Sequence, residues 1–489
     1  MLGWESTSQY IELLIRQGAL TGMTFEQFLE REINAFLGSE QRKRMLLAKD
    51  YYAGDQSILS KKRLAIGEEG KKKEVSNLPN NKILDNRYAA LIDQKTNYLF
   101  GQPFSAKTDN EQYAKDLKTV FSKKFLRLLR RTGMDAINQG IGWIYVYLDD
   151  NGAFKQQRFN PYEILPFWRD EDHTELDMVV RVYDVQGYEG TQLKTITRVE
   201  VYHAEGIKRY VLSSKKLIAD VELGDSPYLI SKTGDKTEAQ TWTQIPVIPF
   251  KSNSDEIPLL NRVKSLQDAL NTIQSNFMDA LQEDARNTIL VLLNYDGEEL
   301  GEFRKNLATY GVVKVRSEDG VNGDVKTLEI TVNAENYKTI IDLLRKAIIS
   351  NGKGYDAKEE RSGNAPNELN LKSMYSDIDL DANMTETEFQ ASFETLLWFY
   401  NTYCQLVKKP AYPDEDVEII FNRDIMVSES AVIADIKNSV GILSRKTLVA
   451  QHPYVDDPEA EMKNIEEEER EKLDTGDPYK DTFGAGDDE

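Results

Sequence analysis

Apolar residues in the first hundred positions recur every three or four residues, which is the period of an amphipathic helix. Thr24 and Gln27 have the spacing of a capping box ahead of one such stretch. Ser39 can cap a second helix, and residues 86–99 predict a third. The basic, glycine-flanked residues 61–73 predict an exposed loop. This part of the chain is therefore predicted to be helical.

The apolar period then changes from helical to alternating. Residues 113–138 predict a single amphipathic helix with basic residues around its apolar side. Strands are predicted where the alternation follows, over residues 144–148, 176–185, 197–204 and 208–212. The residues Asp150-Asn151-Gly152 have the composition of a hairpin turn. Pro246 and Pro249 exclude a central strand or helix interior over residues 245–250, so this segment is the best predicted boundary.

Two long helices with narrow apolar seams are predicted beyond that boundary. The first seam spans roughly 40 Å at 1.5 Å per residue and consists of Leu259, Val263, Leu266, Leu270, Ile273, Phe277 and Leu281. The second lies in residues 334–349 and consists of Tyr337, Ile341, Leu344 and Ile348. Narrow seams of this kind suit packing against neighbouring long helices.

Between the two long helices the pattern predicts a compact mixed segment. Residues 289–293 predict a strand and residues 298–309 a short helix, while residues 311–316 and 325–331 predict a pair of strands. After the second long helix, residues 350–366 are rich in glycine and charge and almost devoid of apolar residues. A loop of that length is usually functional or disordered.

The C-terminal third returns to helical patterns. Helices are predicted over residues 368–375, 386–407 and 429–470, and disorder over residues 474–489. The 36 residues from 454 to 489 hold 15 acidic and 4 basic side chains, about half of the net charge of −21. Because affinity for phosphates comes from cations, so acidic a protein is not expected to grip DNA over a broad surface.

Motifs of catalysis and cofactor binding are absent from the sequence. It contains no phosphate-binding loop, no G-x-G-x-x-G after a strand, no G-x-S-x-G and no H-E-x-x-H. The single cysteine, Cys404, excludes a disulfide or a multi-thiolate zinc site within one chain. Neither a signal peptide nor a membrane span is predicted. We therefore expect a soluble protein that is not an enzyme and carries no cofactor.

One acidic segment resembles an EF-hand calcium loop. Its oxygen-bearing residues fall at positions 1, 3, 5, 7, 9 and 12 of such a loop: Asp377, Asp379, Asp381, Asn383, Thr385 and Glu388. Position 6 is Ala382 instead of the glycine that makes the sharp turn. A structural connector is the favoured interpretation, as a short half-buried strand that leads into a helix near Thr385, and a metal site is the alternative.

A second open choice concerns the basic side of residues 123–131. Its five cations could contact nucleic acid or an acidic neighbour, but a solvated helix face is the favoured interpretation because such faces are common.

Several segments spread along residues 40–405 resemble portal proteins of tailed double-stranded-DNA bacteriophages, of the long-tailed siphophage type. The clearest are Tyr51-Tyr52-Ala53-Gly54, Pro79-Asn80-Asn81-Lys82-Ile83, Tyr98-Leu99-Phe100-Gly101-Gln102-Pro103, Asn160-Pro161-Tyr162-Glu163 and Ser362-Gly363-Asn364-Ala365. Further similarity lies in residues 142–147, 245–252, 289–307 and 312–315. Each segment alone is weak, but the set occurs in the order and spacing of the family.

The resemblance implies a mostly helical α+β protein with the portal fold of wing, stem, clip and crown. The implied wing comprises residues 1–257 and 367–427, and the two stem helices comprise residues 258–285 and 333–349. The clip would be residues 286–332 and the tunnel loop residues 350–366. A crown with an acidic, disordered tail would occupy residues 428–489.

The resemblance also implies a function. Twelve copies would form a ring at one capsid vertex of the virion, assembled in the bacterial cytoplasm, and DNA would pass through it without sequence specificity during packaging and ejection. The implied partners are terminase, the head-completion adaptor, the scaffold and the major capsid protein, and no membrane is involved. A packaging enzyme, either nuclease or ATPase, and a monomeric DNA-binding module remain alternatives.

Two sets of site residues follow from the implied portal architecture. The tunnel-loop residues expected to face DNA are Lys353, Lys358, Glu359, Glu360 and Arg361. The residues expected to hold neighbouring copies together are Leu259, Val263, Leu266, Leu270, Ile273, Phe277, Tyr337, Ile341 and Leu344. This second expectation assumes that one chain cannot supply the partners that the two seams need.

Overall fold

The computed structural model describes most of the 489 residues. The described ranges are 24–66, 71–76, 78–189, 191–233, 236–284, 289–293, 317–318, 321–322, 324–328, 333–356, 368–423, 429–455 and 458–474. The chain divides into two compact units, one made of Met1–Glu359 with Tyr375–Arg423 and the other of Glu360–Met374 with Asp424–Glu489. Helices and strands are mixed throughout the first unit, which confirms the α+β class.

The helices of the larger unit follow the predicted order closely. They are α1 (Phe25–Leu37), α2 (Glu40–Ala53), α3 (Arg87–Phe100), α4 (Glu111–Val120), α5 (Lys123–Gln139), α6 (Leu260–Asp284), α7 (Ala334–Asn351) and most of α8 (Glu368–Leu406). The capping box is confirmed, because Thr24 and Gln27 each accept a hydrogen bond from the backbone N–H of the other. Ser39 caps α2, and Gly54, with a left-handed φ of 94°, ends it.

The strands form several antiparallel sheets. They are β1 (Leu64–Ile66), β2 (Lys72–Glu74), β3 (Ser105–Lys107), β4 (Ile141–Leu148), β5 (Phe154–Phe159), β6 (Ile164–Trp168), β7 (Leu176–Glu189), β8 (Gln192–His203), β9 (Gly206–Ser213), β10 (Lys216–Ala219), β11 (Leu229–Thr233), β12 (Lys236–Gln240), β13 (Val247–Lys251), β14 (Ile289–Leu293), β15 (Ser317–Glu318), β16 (Val321–Asn322), β17 (Asp324–Leu328) and β18 (Glu418–Ile420). The two largest sheets have the orders β10-β9-β8-β7-β6 and β13-β4-β5. The predicted alternating strands and the hairpin turn at Gly152 are therefore confirmed.

The proline-containing segment predicted as a boundary forms an edge strand. β13 pairs with β4 on one side only, which is where a sheet tolerates the missing N–H of Pro249. Ile248 and Phe250 of this strand are fully buried. The segment thus lies in the core of the larger unit.

Two helix predictions need correction. Residues 113–138 form two helices, α4 and α5, because the backbone leaves the helix at Phe121. The Phe121 ring packs against the rings of Phe104 and Phe393, which are both distant from it in the sequence. These tertiary contacts outweigh the local helix propensity.

Residues 377–383 are also helical, as part of the continuous helix α8, so the predicted half-buried strand is wrong. Ile378, Ala382, Phe389 and Phe393 are buried at helical spacing, and this long stripe decides the conformation.

The predicted mixed segment between the long helices is described in part. β14 confirms the strand over residues 289–293 and pairs with β17, which confirms the strand predicted near residue 325. The helix predicted over residues 298–309 and the strand over residues 311–316 lie outside the described residues.

In the smaller unit, the helical pattern of residues 429–470 resolves into α9 (Glu429–Asn438), α10 (Arg445–Ala450) and α11 (Pro458–Asp474). The prediction of disorder after residue 474 lies outside the described residues. Among the helices of both units that the structure describes, none has the length and apolar content needed to cross a bilayer.

Candidate functional site

The two long helices α6 and α7 pack against each other, and we call them the long-helix pair. The ring of Phe277 in α6 stacks on that of Tyr337 in α7, with centroids 4.7 Å apart. Val263 and Leu270 are fully buried in the main core of the same chain, and Leu259 is 6% exposed. Leu266, Ile341 and Leu344 are partly buried against that core.

The expectation that the seams lack partners within one chain is therefore wrong for these residues. Three of the exposed apolar side chains of the pair lie beside the predicted seams: Ile340 at 43% and Leu343 at 60% exposure in α7, and Met278 in α6. Leu281, the last residue of the first predicted seam, is exposed to about the same degree as Ile340. Ile273, Phe277 and Tyr337 are intermediate.

A stripe of polar residues on α6, which the sequence interpretation missed, is as buried as the seam. Gln267, Asn271, Ser275 and Asp279 follow at intervals of four residues and are at most 1% exposed. Each accepts a hydrogen bond from a backbone N–H of residues 81–88: Gln267 from Tyr88 at 3.0 Å, Asn271 from Asp85 at 3.0 Å, Ser275 from Ile83 at 2.9 Å and Asp279 from Asn81 at 2.6 Å. We call these four residues the polar ladder, and residues 81–86 the strap.

The geometry of the ladder follows from two repeats that nearly coincide. Four residues of an α-helix rise about 6 Å, and two residues of extended chain rise about 6.6 Å. Alternate N–H groups of the strap therefore meet successive turns of α6. The helix takes the place of a neighbouring strand and pairs backbone groups that would otherwise be buried without partners.

An ion pair lies at each end of the strap. Lys61 Nζ lies 2.7 Å from the buried carboxylate of Asp279. Burial acts to raise the pKa of Asp279, but the hydrogen bonds from Lys61 and Asn81 outweigh it and hold the pKa below its ordinary value. At the other end, Asp85 pairs with Arg345 of α7 at 2.9 Å. The strap is thus tied to both members of the long-helix pair.

Helix α7 ends inside the predicted tunnel loop, residues 350–366: Ser350 and Asn351 belong to the helix, and the structure describes five further residues, 352–356. We call these five residues the loop base. A Cβ atom on Gly352 would lie 2.1 Å from Leu91 Cδ2 of α3, and one on Gly354 would lie 2.6 Å from Leu91 Cδ1. Only glycine permits such a close approach. The loop base is therefore docked on α3.

Side chains of α3 also hold the backbone of the loop base. Gln94 donates to the carbonyl of Tyr355 at 2.8 Å and accepts from its N–H at 3.1 Å. Lys95, only 5% exposed, donates to the carbonyl oxygens of Gly352 at 3.0 Å and Lys353 at 3.2 Å.

The Lys95 ammonium also lies 2.6 Å from Asp381 of α8. Burial lowers the pKa of Lys95, although Asp381 opposes the shift. Of the predicted DNA-facing residues, Lys353 lies 3.4 Å from the same carboxylate. Lys358, Glu359, Glu360 and Arg361 lie outside the described residues.

Two acidic residues of the EF-like segment, Asp379 and Asp381, serve as ion-pair partners on α8. Asp379 accepts a hydrogen bond from the Tyr98 hydroxyl at 2.6 Å and pairs with Arg423, which also pairs with Glu386. Burial and the bond to Asp379 raise the pKa of Tyr98. A search of the described residues finds no group of three His, Cys, Asp or Glu side chains placed to hold a metal ion.

The basic side of α5 is exposed. Lys123, Lys124, Arg127, Arg130 and Arg131 all face solvent, and Arg130 donates to Asn97. This arrangement leaves both interpretations of the basic face open.

Comparison with known proteins identifies the family. Residues 38–474 match the family described as "Phage portal protein, SPP1 Gp6-like". The portal protein of Bacillus phage SPP1 is 27% identical over 424 residues, which cover 86% of this chain and 82% of the relative. The portal protein of Clostridium phage phiCD119 is 28% identical over 470 residues, which cover 92% and 98%. The match begins before α2 and continues to the end of α11, so the chain belongs to the SPP1 Gp6-like family of phage portal proteins.

Proposed function

We propose that this portal protein assembles into a dodecameric ring at one vertex of the capsid and that double-stranded DNA enters and leaves through the central channel. The observation that carries the proposal is the family match over residues 38–474, which includes the long-helix pair and most of both compact units. Assembly takes place in the host cytoplasm, and the ring stays in the virion.

The exposed apolar residues of α7 support a ring. Ile340 and Leu343 lie on the outside of the long-helix pair, where the described residues of the larger unit leave them 43% and 60% exposed. A head-to-tail contact between identical chains that closes on itself buries such a surface on every copy. The long-helix pair is then the stem, and its outer face meets the neighbouring copy.

The charge of the protein supports a channel through which DNA slides. Contacts with phosphates supply most of the sequence-independent affinity for DNA, so a strongly cationic wall would hold the duplex in place. With a net charge of −21, the protein is not expected to bind the DNA phosphates strongly enough to stop the duplex from sliding. The tunnel loop, residues 350–366, faces the DNA, and its candidate contact residues are Lys353, Lys358, Glu359, Glu360 and Arg361.

The remaining regions contact other virion proteins. The clip, residues 286–332, docks terminase during packaging and the head-completion adaptor afterwards. The wing, residues 1–257 and 367–427, faces the scaffold and the major capsid protein, and residues 428–489 form the crown. The portal itself is a structural conduit, and the energy for packaging comes from a separate motor, consistent with the lack of nucleotide-binding motifs in this sequence.

The mass and the symmetry of the purified protein test the proposal. Native mass spectrometry should show a particle of about 670 kDa, twelve times the chain mass of 55.9 kDa. Electron micrographs of the same sample should show annular top views with twelvefold symmetry. A ring of another subunit number would correct the stoichiometry alone, whereas a monomer at every concentration tested would refute the assembly.

A further inference from the structure

We propose that Lys95 is a positioning residue for the tunnel loop: its ammonium group holds two backbone carbonyls of the loop base and so fixes the backbone from which residues 357–366 continue. The inference rests on the proposed function, in which those residues face DNA. Lys95 lies in α3, far from the loop in sequence, and the loop carbonyls that it holds are those of Gly352 and Lys353.

The first argument is that every N–H donor of the Lys95 ammonium has an acceptor within reach. A lysine ammonium has three N–H donors, and three acceptors lie within reach: Asp381 Oδ2 at 2.6 Å and the carbonyls of Gly352 at 3.0 Å and Lys353 at 3.2 Å. Two of the three acceptors are loop backbone. A buried lysine is costly unless it is fully paired, so the loop base and Lys95 depend on each other.

The second argument is that Asp381 does not need Lys95 for charge balance. The carboxylate of Asp381 lies 3.4 Å from Lys353 Nζ and 3.7 Å from Arg262 Nη1. Both of these cations are more exposed than Lys95 and cost less to bring there. What Lys95 adds to the cluster is therefore its bonds to the loop backbone.

The third argument is that two neighbours of Lys95 on α3 also contact the loop base. Leu91, Gln94 and Lys95 lie at positions i, i+3 and i+4, on one face of the helix. Leu91 contacts Gly352 and Gly354, and Gln94 brackets the backbone of Tyr355. On its other side the Tyr355 ring packs against Tyr375 of α8, with centroids 4.6 Å apart. The loop base is thus fixed from two helices.

Hydrogen exchange on assembled rings tests the proposal. Lys95→Met keeps the length of the side chain and removes its donors, and Lys353→Met is the matched control, because it removes a cation from the same carboxylate without freeing a loop carbonyl. We expect exchange at the amides of Gly354 and Tyr355 to rise at least tenfold in Lys95→Met and less than twofold in Lys353→Met. Amides in the middle of α6 should not change in either variant.

Asp381→Asn separates the carbonyl bonds of Lys95 from its ion pair. Lys95→Met removes the ion pair together with both carbonyl bonds, whereas Asp381→Asn removes the ion pair and keeps the bonds to Gly352 and Lys353. If Lys95 positions the loop through those bonds, the amides of Gly354 and Tyr355 should stay protected in Asp381→Asn and lose protection equally in Lys95→Met and Lys95→Met/Asp381→Asn. Lost protection in Asp381→Asn, or unchanged exchange in Lys95→Met rings, would overturn the inference. If Lys95→Met rings do not form, exchange in the double variant decides alone.

Complementation of a phage that lacks its portal gene distinguishes this inference from the function on which it rests. We expect Lys95→Met to reduce packaged DNA at least tenfold with rings still incorporated into heads. Unprotected amides together with normal packaging would leave Lys95 as the residue that positions the loop base, and would refute the DNA-facing role of the loop.

Discussion

The carboxylate of Asp279, in the last third of α6, accepts a hydrogen bond from the backbone N–H of Asn81 at 2.6 Å. These residues are about 200 positions apart, and their bond is the end of a ladder that repeats at Ser275, Asn271 and Gln267. Three rungs join side chains of α6 to backbone of the strap, and the fourth joins Gln267 to the N–H of Tyr88 at the start of α3. The long helix α6 is therefore held to residues 81–88 by polar contacts as well as by the packing of its apolar residues against the core.

Replacing a central rung should weaken this attachment. Asn271 accepts from the N–H of Asp85 and donates to Gln56 at 2.7 Å, and both Asn271 and Gln56 are buried. Asn271→Leu would leave two groups without partners, at about 1–3 kcal/mol each. We expect a loss of about 2–4 kcal/mol in the free energy of unfolding, measured with urea at constant protomer concentration.

Thr272→Leu is the control for Asn271→Leu, because residue 272 is exposed on the neighbouring face of α6. It should change stability by less than about 0.5 kcal/mol. Equal effects from the two variants would show that the ladder contributes nothing beyond helix propensity.

Acid should release the end of the strap. The pKa of Asp279 is lowered in the folded protein, so its contribution to stability is present above the ordinary aspartate value of 3.8 and is lost as the pH falls through the folded pKa. Asp279→Asn should cost about 1–3 kcal/mol at pH 7, and the difference from the wild type should shrink below pH 4. Thermal midpoints between pH 7 and pH 3 measure the two curves.

Asp342→Asn removes a carboxylate that is half exposed and 3.8 Å from Arg345, so it serves as the matched control for Asp279→Asn. Its midpoints should run parallel to those of the wild type throughout the range. An Asp279→Asn deficit that stays constant down to pH 3 would contradict the assigned ion pair.

Local signals in the sequence predicted much of this structure, because the contacts behind them are local. The capping box at Thr24 and the helix end at Gly54 need only residues within one or two turns. The break at Phe121 could not be predicted in this way, since it depends on packing against Phe393, more than 250 residues away. The short strand predicted in the EF-like segment was wrong for a similar reason, because the buried stripe of α8 is longer than the segment with alternating acids.

The candidate site likewise combines features that local sequence signals predict with features that depend on tertiary contacts. The apolar seams of α6 and α7 were visible, but which seam residues the chain itself covers depends on how the two helices pack. The polar ladder was visible as a spacing of four, yet its meaning required the strap, whose N–H groups are nearly 200 residues distant. Lys95 gave no signal at all, since nothing local marks a lysine that bonds to the loop base.

Ring assembly should depend on the exposed face of α7. Leu343 is 60% exposed, so Leu343→Asp should leave the protomer folded and remove an apolar contact with the neighbouring copy. We expect mostly monomer by light scattering with an unchanged circular dichroism spectrum. Intact rings from Leu343→Asp would move the interface elsewhere.

Leu270→Asp gives the necessary contrast for Leu343→Asp. Leu270 is fully buried, so an aspartate there places a charge in the core. Its expected result is loss of the folded protomer, seen as a lost cooperative thermal transition, and a ring defect in that variant says nothing about the interface. If Leu270→Asp folds normally as a monomer, the seam residue belongs to the interface instead.

The glycines of the loop base give a steric test of the same region that Lys95 holds electrostatically. Gly352 is buried against Leu91, and an added Cβ would lie 2.1 Å from Leu91 Cδ2 and 3.0 Å from the carbonyl of Ile348. Gly352→Ala must therefore displace the loop base from α3, because atoms cannot approach so closely. We expect rings to form and DNA packaging in a complementation assay to fall at least tenfold.

Adding Leu91→Ala to Gly352→Ala removes the nearest clashing atom and should restore part of the packaging. Leu91→Ala alone should cost about 2–5 kcal/mol of stability without moving the loop. A double variant no better than Gly352→Ala would show that the contact with Leu91 is not what holds the loop base in place.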